Sequence, residues 1–485
     1  MTHAREALLS LLHDQCARLG DTLLISDDSG ATSARQLLEG VDAKARAWRA
    51  AGVGPGVLVG TIAWPAAEFV SDVFAIISTG AVAVPLSRQL TPWELRRIQE
   101  RCALDFLSAA HESPLALPVT TASCGARTLS RALATGREAA RGQAFDEAAT
   151  AQITSGTTGY PRVALRSASA LMAEGEHYRT ALGLGPESRL LCPVPLQHAY
   201  GFGLCALAAP LAGAPVRFLK PGKPRMLLRE LAAGDVTLFV GVPPMLRLLA
   251  KAARTAPHEG LTAGFLSAGM ALDAHTTELV ETRLGGHTGQ VYGTTETGPI
   301  CVSAPAPRRP GMLGPGAPLP GVDVRLAPVP GADGDSGSLA GTGLVTVTSP
   351  SMMLGYAEAE TVDATSLSGG FTTGDLARWE SSELVLAGRL STSINVAGAK
   401  VSPEEIETVL LAFPAVASCL VTGVDDPLLG QRISATVTPG TVDLDKLSRF
   451  CREQLSPSRV PHVFAAVAEL PTTETGKVIR PRTGQ

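Results

Sequence analysis

The sequence predicts an α/β protein: a large N-terminal domain of parallel-rich α/β layers with a β-barrel-like part, followed by a small α+β C-terminal domain. Three observations predict it. Short apolar strands alternate with helix-periodic segments up to Pro299. Pro and Gly then crowd Pro305–Pro320 and Pro328–Gly343, around short β-type runs. From Ser402 onward, helix and strand return in a compact stretch. A chain of 485 residues has length for about three domains' worth of core.

The elements follow in order. Leu37, Leu38, Val41, Ala45 and Trp48 recur at helical spacing, and Ser33 with Gln36 fits a capping box, so Thr32–Ala51 reads as a helix. Gly52-Val53-Gly54-Pro55-Gly56 stops it, and Val57–Ile62 reads as a buried strand. Ala66–Thr79 is a second helix, and Val82–Pro85 a second strand. The alternation resumes at Arg189–Pro195, Ala206–Gly213, Val216–Leu219, Met226–Ala233 and Thr237–Val240. Val322–Leu326 and Leu344–Thr348 are strands of the barrel-like part. Ser402–Leu411 is a helix with Pro403 in its first turn and Glu404 and Glu405 near its positive end. Val416–Val424 and Ile433–Val437 are strands, and Leu444–Gln454 is a helix.

Composition excludes several classes. Hydrophobic residues make up 45% and charged residues 18%, too apolar for a disordered chain. The net charge of −4 gives no electrostatic reason to expect nucleic acid or an anionic membrane as partner. Val73–Leu86 and Leu204–Val216 are broken by Gly or Pro and fall short of a membrane span. Met1 to Leu12 lacks the long apolar core of a secretory leader. The eight cysteines are scattered without a C-x-x-C pair, which predicts reduced thiols and a cytoplasmic location.

The sharpest motif is Thr154-Ser155-Gly156-Thr157-Thr158-Gly159-Tyr160-Pro161-Arg162. Its glycines let backbone N–H groups approach an anion, its hydroxyls donate further hydrogen bonds, and Arg162 supplies charge. It lacks the Lys-Ser or Lys-Thr of a Walker A loop, and composition alone also fits a flexible surface loop. The segment resembles the phosphate loop of the AMP-forming adenylating enzymes, the superfamily of acyl-CoA synthetases, nonribosomal-peptide adenylation domains and luciferases. Six further segments resemble that family, in its order and over nearly the whole chain: Tyr292-Gly293-Thr294-Thr295-Glu296-Thr297-Gly298, Ser349–Tyr356, Thr373-Gly374-Asp375, Gly388-Arg389, Gly398–Glu407 and Pro471–Lys477.

The resemblance implies two domains, 1–387 for AMP and the acyl substrate and a mobile 388–485 carrying the catalytic lysine. It implies ATP and Mg²⁺ as cofactors, a carboxylic acid as substrate, and CoA or the phosphopantetheine arm of a separate carrier protein as acceptor. Thr154, Ser155, Gly156, Thr157, Thr158, Gly159 and Arg162 would cradle phosphate. Gly269, Gln290, Tyr292, Gly293, Thr294 and Thr295 would line the adenine and α-phosphate, and Asp375 with Arg389 the ribose. Glu296 would hold the metal, a hard cation suited to an oxygen ligand. Lys477 would bridge carboxylate and α-phosphate where negative charge accumulates. Thr392 and Gly398 would form the hinge and thiol channel. His198, in Pro193–Gly203, would stand at the reaction centre beside the acyl pocket, gating the substrate or orienting its carboxylate rather than exchanging protons. Tyr200, Gly201, Val240, Gly241 and Gly269 would complete that pocket.

Three positions depart from the family. Arg162 replaces a lysine and keeps the charge. Thr392 replaces the hinge aspartate, keeping a pivot but not its ionic contacts. Asn395 stands where a lysine is common, which puts the balance of the two half-reactions in question. Nothing acidic lies between Leu196 and Pro210 to pair with a substrate ammonium, and burying one unpaired is costly. An aryl or acyl acid is therefore expected, not an α-amino acid, with Gly201, Gly203, Gly241 and Gly269 leaving volume for it. The expected activity is an acid–thiol ligase making acyl-AMP and then an acyl thioester. No carrier module follows Lys477, so the acceptor is expected to be CoA or a separate protein. Luciferase-like oxygenation and a non-catalytic binding role are the other classes. A homodimer is left open.

Overall fold

The computed structural model describes residues 3–110, 120–131, 141–154, 162–220, 224–233, 235–253, 263–270, 272, 274–307, 314–329, 341–358, 361–389 and 394–470. They form two compact units, one of Met1–Arg88, Cys102–Ile153 and Val163–Leu390, the other of Gln89–Arg101, Thr154–Arg162 and Ser391–Gln485.

The larger unit holds three sheets. In the first, Leu58–Ile62, Val82–Leu86, Phe106–Ala110 and Ala148–Thr154 form a parallel centre. In the second, Leu23–Asp27, Val216–Phe218, Leu190–Cys192, Leu238–Gly241, Gly264–Ser267 and Thr288–Thr294 run parallel, in that order. Antiparallel strands Gly30–Ser33 and Gly298–Ser303 close its two edges. The third sheet is antiparallel, in the order Asp323–Ala327, Gly343–Thr348, Phe371–Glu380, Glu383–Arg389. It is the portion that the Pro/Gly-rich texture marked as barrel-like.

The expected helices Ala34–Ala50 and Ala66–Ser78 pack in the core with Trp48, Phe69, Phe74 and Phe202 fully buried. The capping box forms: Ser33 Oγ accepts from Gln36 N, and Gln36 Oε1 accepts from Ser33 N. One helix, His3–Leu19, was read only as a segment that is not a leader. It buries Leu8, Leu12 and Cys16, spaced by four, and its Arg5 donates to the carbonyls of Ala81, Asp146 and Ala148. Gly201–Ala208 is a π-helix running into the α-turn Ala209–Ala212.

A buried charge network lies within this core. Asp72 accepts from Thr61, Ser108 and Arg127, and Lys44 lies 3.2 Å from its other oxygen. Burial works against the Asp72 charge, but Arg127 and Lys44, with the hydrogen bonds from Ser108 and Arg127, overcome it and hold the carboxyl at about 2.

In the smaller unit, Ala399–Val401, Ile394–Val396, Gly430–Thr438 and Ser418–Asp426 form an antiparallel sheet, and Val463–Ala466 adds in parallel to Gly430–Thr438. Helices Pro403–Leu411 and Leu444–Gln454 match the expected bounds within one residue. The helix Pro92–Cys102 places Glu94 here. Its Oε1 accepts from Ser456 N, Ser456 Oγ and Arg459 Nη1.

Candidate functional site

The parallel pairing Ser267↔Gln290 aligns the ends of two neighbouring strands of the second sheet. Gly269 lies just past one end, at φ +81°, a conformation that glycine adopts freely. Tyr292 lies two residues beyond Gln290 on the other strand. Gln290 itself is 1% exposed, with its main chain tied to Ser303 Oγ. Chains near the carboxyl ends of parallel strands are where α/β sheets bind ligands.

Tyr292 connects this sheet to the third one. Its hydroxyl donates to Asp375 Oδ2 at 3.0 Å and lies 3.2 Å from Thr373 Oγ1. Thr373 Oγ1 in turn accepts from Asp375 N. Burial, and then the Asp375 charge, push the Tyr292 phenol well above its ordinary value, so it stays a donor at neutral pH. Asp375 is 9% exposed, and its main chain pairs with Arg389 across the hairpin. Asp375 thus has one oxygen engaged by a tyrosine, and a carboxylate can accept further hydrogen bonds.

Beyond Tyr292 the chain reverses tightly. Thr294 Oγ1 accepts from Thr297 N, and Thr297 Oγ1 accepts from Thr294 N. Thr295 and half-buried Glu296 stand at the tip. Gly298 follows at φ +68°, where a Cβ would come within 2.8 Å of Ser351. Glu296 Oε1 accepts from the Tyr356 hydroxyl at 2.7 Å, and Glu296 O accepts from Met353 N. Among the described residues no group of three or more His, Cys, Asp or Glu side chains could hold a metal ion. A lone carboxylate at a turn fits Mg²⁺ brought in on nucleotide phosphates, since that ion keeps most of its waters and takes one or two protein oxygens.

His198 is exposed, and its carbonyl accepts from Phe202 N. Tyr200 donates to the Leu266 carbonyl at 3.1 Å, and Val240 is fully buried. The pocket glycines have a different reason from the one their composition suggests. A Cβ on Gly201 would lie 2.4 Å from the Pro195 carbonyl, one on Gly203 1.9 Å from Glu174 Oε1, and one on Gly241 2.8 Å from the Phe239 ring. Neighbouring atoms already occupy that space, so these glycines permit close packing and do not leave volume for the acid.

Thr154 ends one strand and Arg162, half-buried, begins the next. In the smaller unit, Asn395 Oδ1 accepts from Gly398 N at 3.0 Å, and Asn395 N donates to Gln431 Oε1. The turn it braces carries Ala397 at φ +50° and Gly398 at φ +90°. Asn395 therefore acts as the anchor of the Gly398 turn, a local role that a lysine could not fill. Ser155, Gly156, Thr157, Thr158, Gly159, Thr392 and Lys477 lie outside the described residues, as does the side chain of Arg389.

Residue-type reasoning missed the Tyr356–Glu296 and Tyr292–Asp375 bonds. Both tyrosines stand in segments that the sequence flagged, but the partners are 60 and 83 residues apart, a pairing only the fold reveals.

The AMP-binding enzyme family profile matches residues 12–357, and the AMP-binding enzyme C-terminal domain profile matches 405–477. A feruloyl-CoA synthase of Amycolatopsis sp is 29% identical over 89% of this chain and 89% of its own length. A naringenin synthase of Pestalotiopsis fici is 30% identical over 88% of this chain, which spans only 17% of that longer protein. The structure of an o-succinylbenzoate CoA synthetase double mutant from Bacillus subtilis superposes with a TM-score of 0.81 at 22% identity, covering 97% of this chain and 96% of that one. With the first profile matching well over half of the chain and the C-terminal profile following it in order, the chain belongs to the AMP-binding enzyme family.

Proposed function

We propose that this chain activates an aryl or acyl carboxylic acid with an apolar body and transfers it to CoA. It is an AMP-forming acid–thiol ligase: acid and ATP give acyl-AMP and pyrophosphate, and a thiol then displaces AMP. The observation that carries the reading is the Tyr292–Thr373–Asp375 hydrogen-bonded cluster beside Glu296, on a chain matched by both family profiles.

In this reading Asp375 accepts from the ribose, and Tyr292, held by that carboxylate, presents its ring to the base. Thr295 and the loop Thr154–Arg162 bind phosphate. Glu296 would hold a Mg²⁺ ion that arrives with the nucleotide, and that ion would supply positive charge against the leaving pyrophosphate. Lys477 bridges the acid's carboxylate and the α-phosphate, neutralising the two anions that must meet. His198 and Tyr200 border the acid. Residues 388–485 form the mobile part that brings first Lys477 and then the Gly398 turn to the reacting centre. Buried Val240 and Phe239, the acid-free run from Leu196 to Pro210 and the feruloyl-CoA synthase relative support an apolar acid.

The test incubates purified protein with ATP, Mg²⁺ and a benzoate- or cinnamate-type acid. CoA is the acceptor in one arm and a phosphopantetheinylated carrier protein in the other. AMP release with an acyl-CoA mass is expected in the first arm. Acylation of the carrier alone would overturn the CoA assignment, and absence of AMP in both arms would overturn the aryl assignment.

A further inference from the structure

The segment Ser349–Tyr356, one of those that resemble the family, is fastened to the turn that carries Glu296. Two of its residues grip Glu296: Met353 N donates to the Glu296 carbonyl at 2.8 Å, and the Tyr356 hydroxyl donates to Glu296 Oε1 at 2.7 Å. Tyr356 is 3% exposed, and its strand Gly355–Glu358 pairs antiparallel with Arg162–Ser167 through Gly355↔Leu165 and Tyr356↔Ala164. The segment is also fastened from below. Arg166, on that same neighbouring strand, donates to the Ser351 carbonyl at 2.7 Å and pairs with Glu174 at 2.5 Å, with both ionic side chains buried. The Arg166 guanidinium lies 3.1 Å from where a Cβ of Gly298 would stand, so it packs against the Glu296 turn as well. One buried ion pair thus fixes both the donor segment and the turn that carries the acceptor.

A phenol hydroxyl has a single proton to give, and here it goes to Oε1. Among the described residues no hydrogen bond or ion pair engages Oε2. We propose that Tyr356 is the positioning residue of Glu296: by holding Oε1 it presents Oε2 as the single carboxylate oxygen offered to the nucleotide-borne divalent cation. The proposal rests on the reading of Glu296 as the metal carboxylate. Partners that orient a metal ligand typically account for about 10–100-fold in metal affinity. Tyr356→Phe removes only the hydroxyl and keeps the buried ring.

The experiment titrates Mn²⁺, followed by its EPR signal, into enzyme bound to α,β-methylene-ATP, which cannot release pyrophosphate. Wild type, Tyr356→Phe and Glu296→Gln are compared, and the affinity of each for the metal-free analogue is measured in EDTA. Both variants are expected to weaken Mn²⁺ binding about tenfold or more, with unchanged metal-free affinity. Unaltered Mn²⁺ affinity in Tyr356→Phe, with the loss confined to Glu296→Gln, would overturn the positioning role and leave the metal carboxylate standing. Unaltered Mn²⁺ affinity in Glu296→Gln would overturn the metal carboxylate itself. An equal loss of metal-free affinity in Tyr356→Phe would mean that the hydroxyl shapes the nucleotide site as a whole, and would also overturn the proposal.

Discussion

Gly203 shows how a single atom is constrained in this core. Glu174, paired with Arg166, points its other oxygen at the Gly203 backbone, and a Cβ there would come within 1.9 Å. Gly203→Ala should therefore destabilise the larger unit by about 1–3 kcal/mol, the usual cost of overpacking. A urea denaturation series measures it as a lower midpoint at unchanged m-value. At the nucleotide, Asp375→Ala should raise the KM for ATP and leave the Tyr292 phenol without its acceptor. Steady-state pyrophosphate exchange against ATP concentration reads the first effect. An unchanged KM would remove Asp375 from the ribose site. As candidates, Tyr292, Glu296 and Asp375 were legible in the sequence because each stands inside a recognisable motif. The volume assigned to Gly201, Gly203 and Gly241 was not, because an absent side chain reads as space until the neighbours are placed, and here Pro195, Glu174 and Phe239 fill it.

Elements with a local code were the most legible. Ser33 and Gln36 announce the start of Ala34–Ala50, and Asp443, accepting from Lys446 N, opens Leu444–Gln454. Pro92–Cys102, which the sequence reading did not name, begins in the same way. Glu94 Oε2 accepts from Thr91 N, and Thr91 Oγ1 accepts from Glu94 N, a capping box whose Glu also receives Ser456 and Arg459 through Oε1. Glu94→Ala removes a cap and leaves buried donors without their acceptor. It should cost about 1–3 kcal/mol, whereas Ser33→Ala should cost about 1 kcal/mol. Thermal unfolding followed by circular dichroism ranks the two, and an equal or smaller effect of Glu94→Ala would contradict the double role. His3–Leu19 was less legible because Leu8, Leu12 and Cys16 make only a narrow apolar stripe, with Arg5 buried through backbone carbonyls that arrive from distant strands. The π-helix Gly201–Ala208 has no sequence period of its own and reads as a plain apolar run.

For the whole molecule, the alternation of strand and helix was enough to predict layered α/β architecture, and the Pro/Gly-rich texture marked the antiparallel sheet. Sheet order was not legible, because Leu23–Asp27 pairs with Val216–Phe218 across nearly 200 residues. The charge network around Asp72 likewise gathers Lys44, Thr61, Ser108 and Arg127 from separate elements. Its folded carboxyl, at about 2, lies below the unfolded value near 3.9. The stability it contributes is therefore present above about pH 4 and is lost as pH falls through about 2. Asp72→Asn should flatten that part of the acid-unfolding profile, and a profile parallel to wild type between pH 4 and 2 would contradict it.

We infer that the chain adenylates a carboxylic acid with an apolar body. ATP–pyrophosphate exchange across a panel of benzoates, cinnamates, medium-chain acids, small dicarboxylates and proteinogenic amino acids tests it most directly. Strong exchange is expected with aryl or medium-chain acids, none above background with amino acids, and loss of exchange in Lys477→Ala. Exchange supported only by amino acids or only by small dicarboxylates, or exchange that persists in Lys477→Ala, would contradict it.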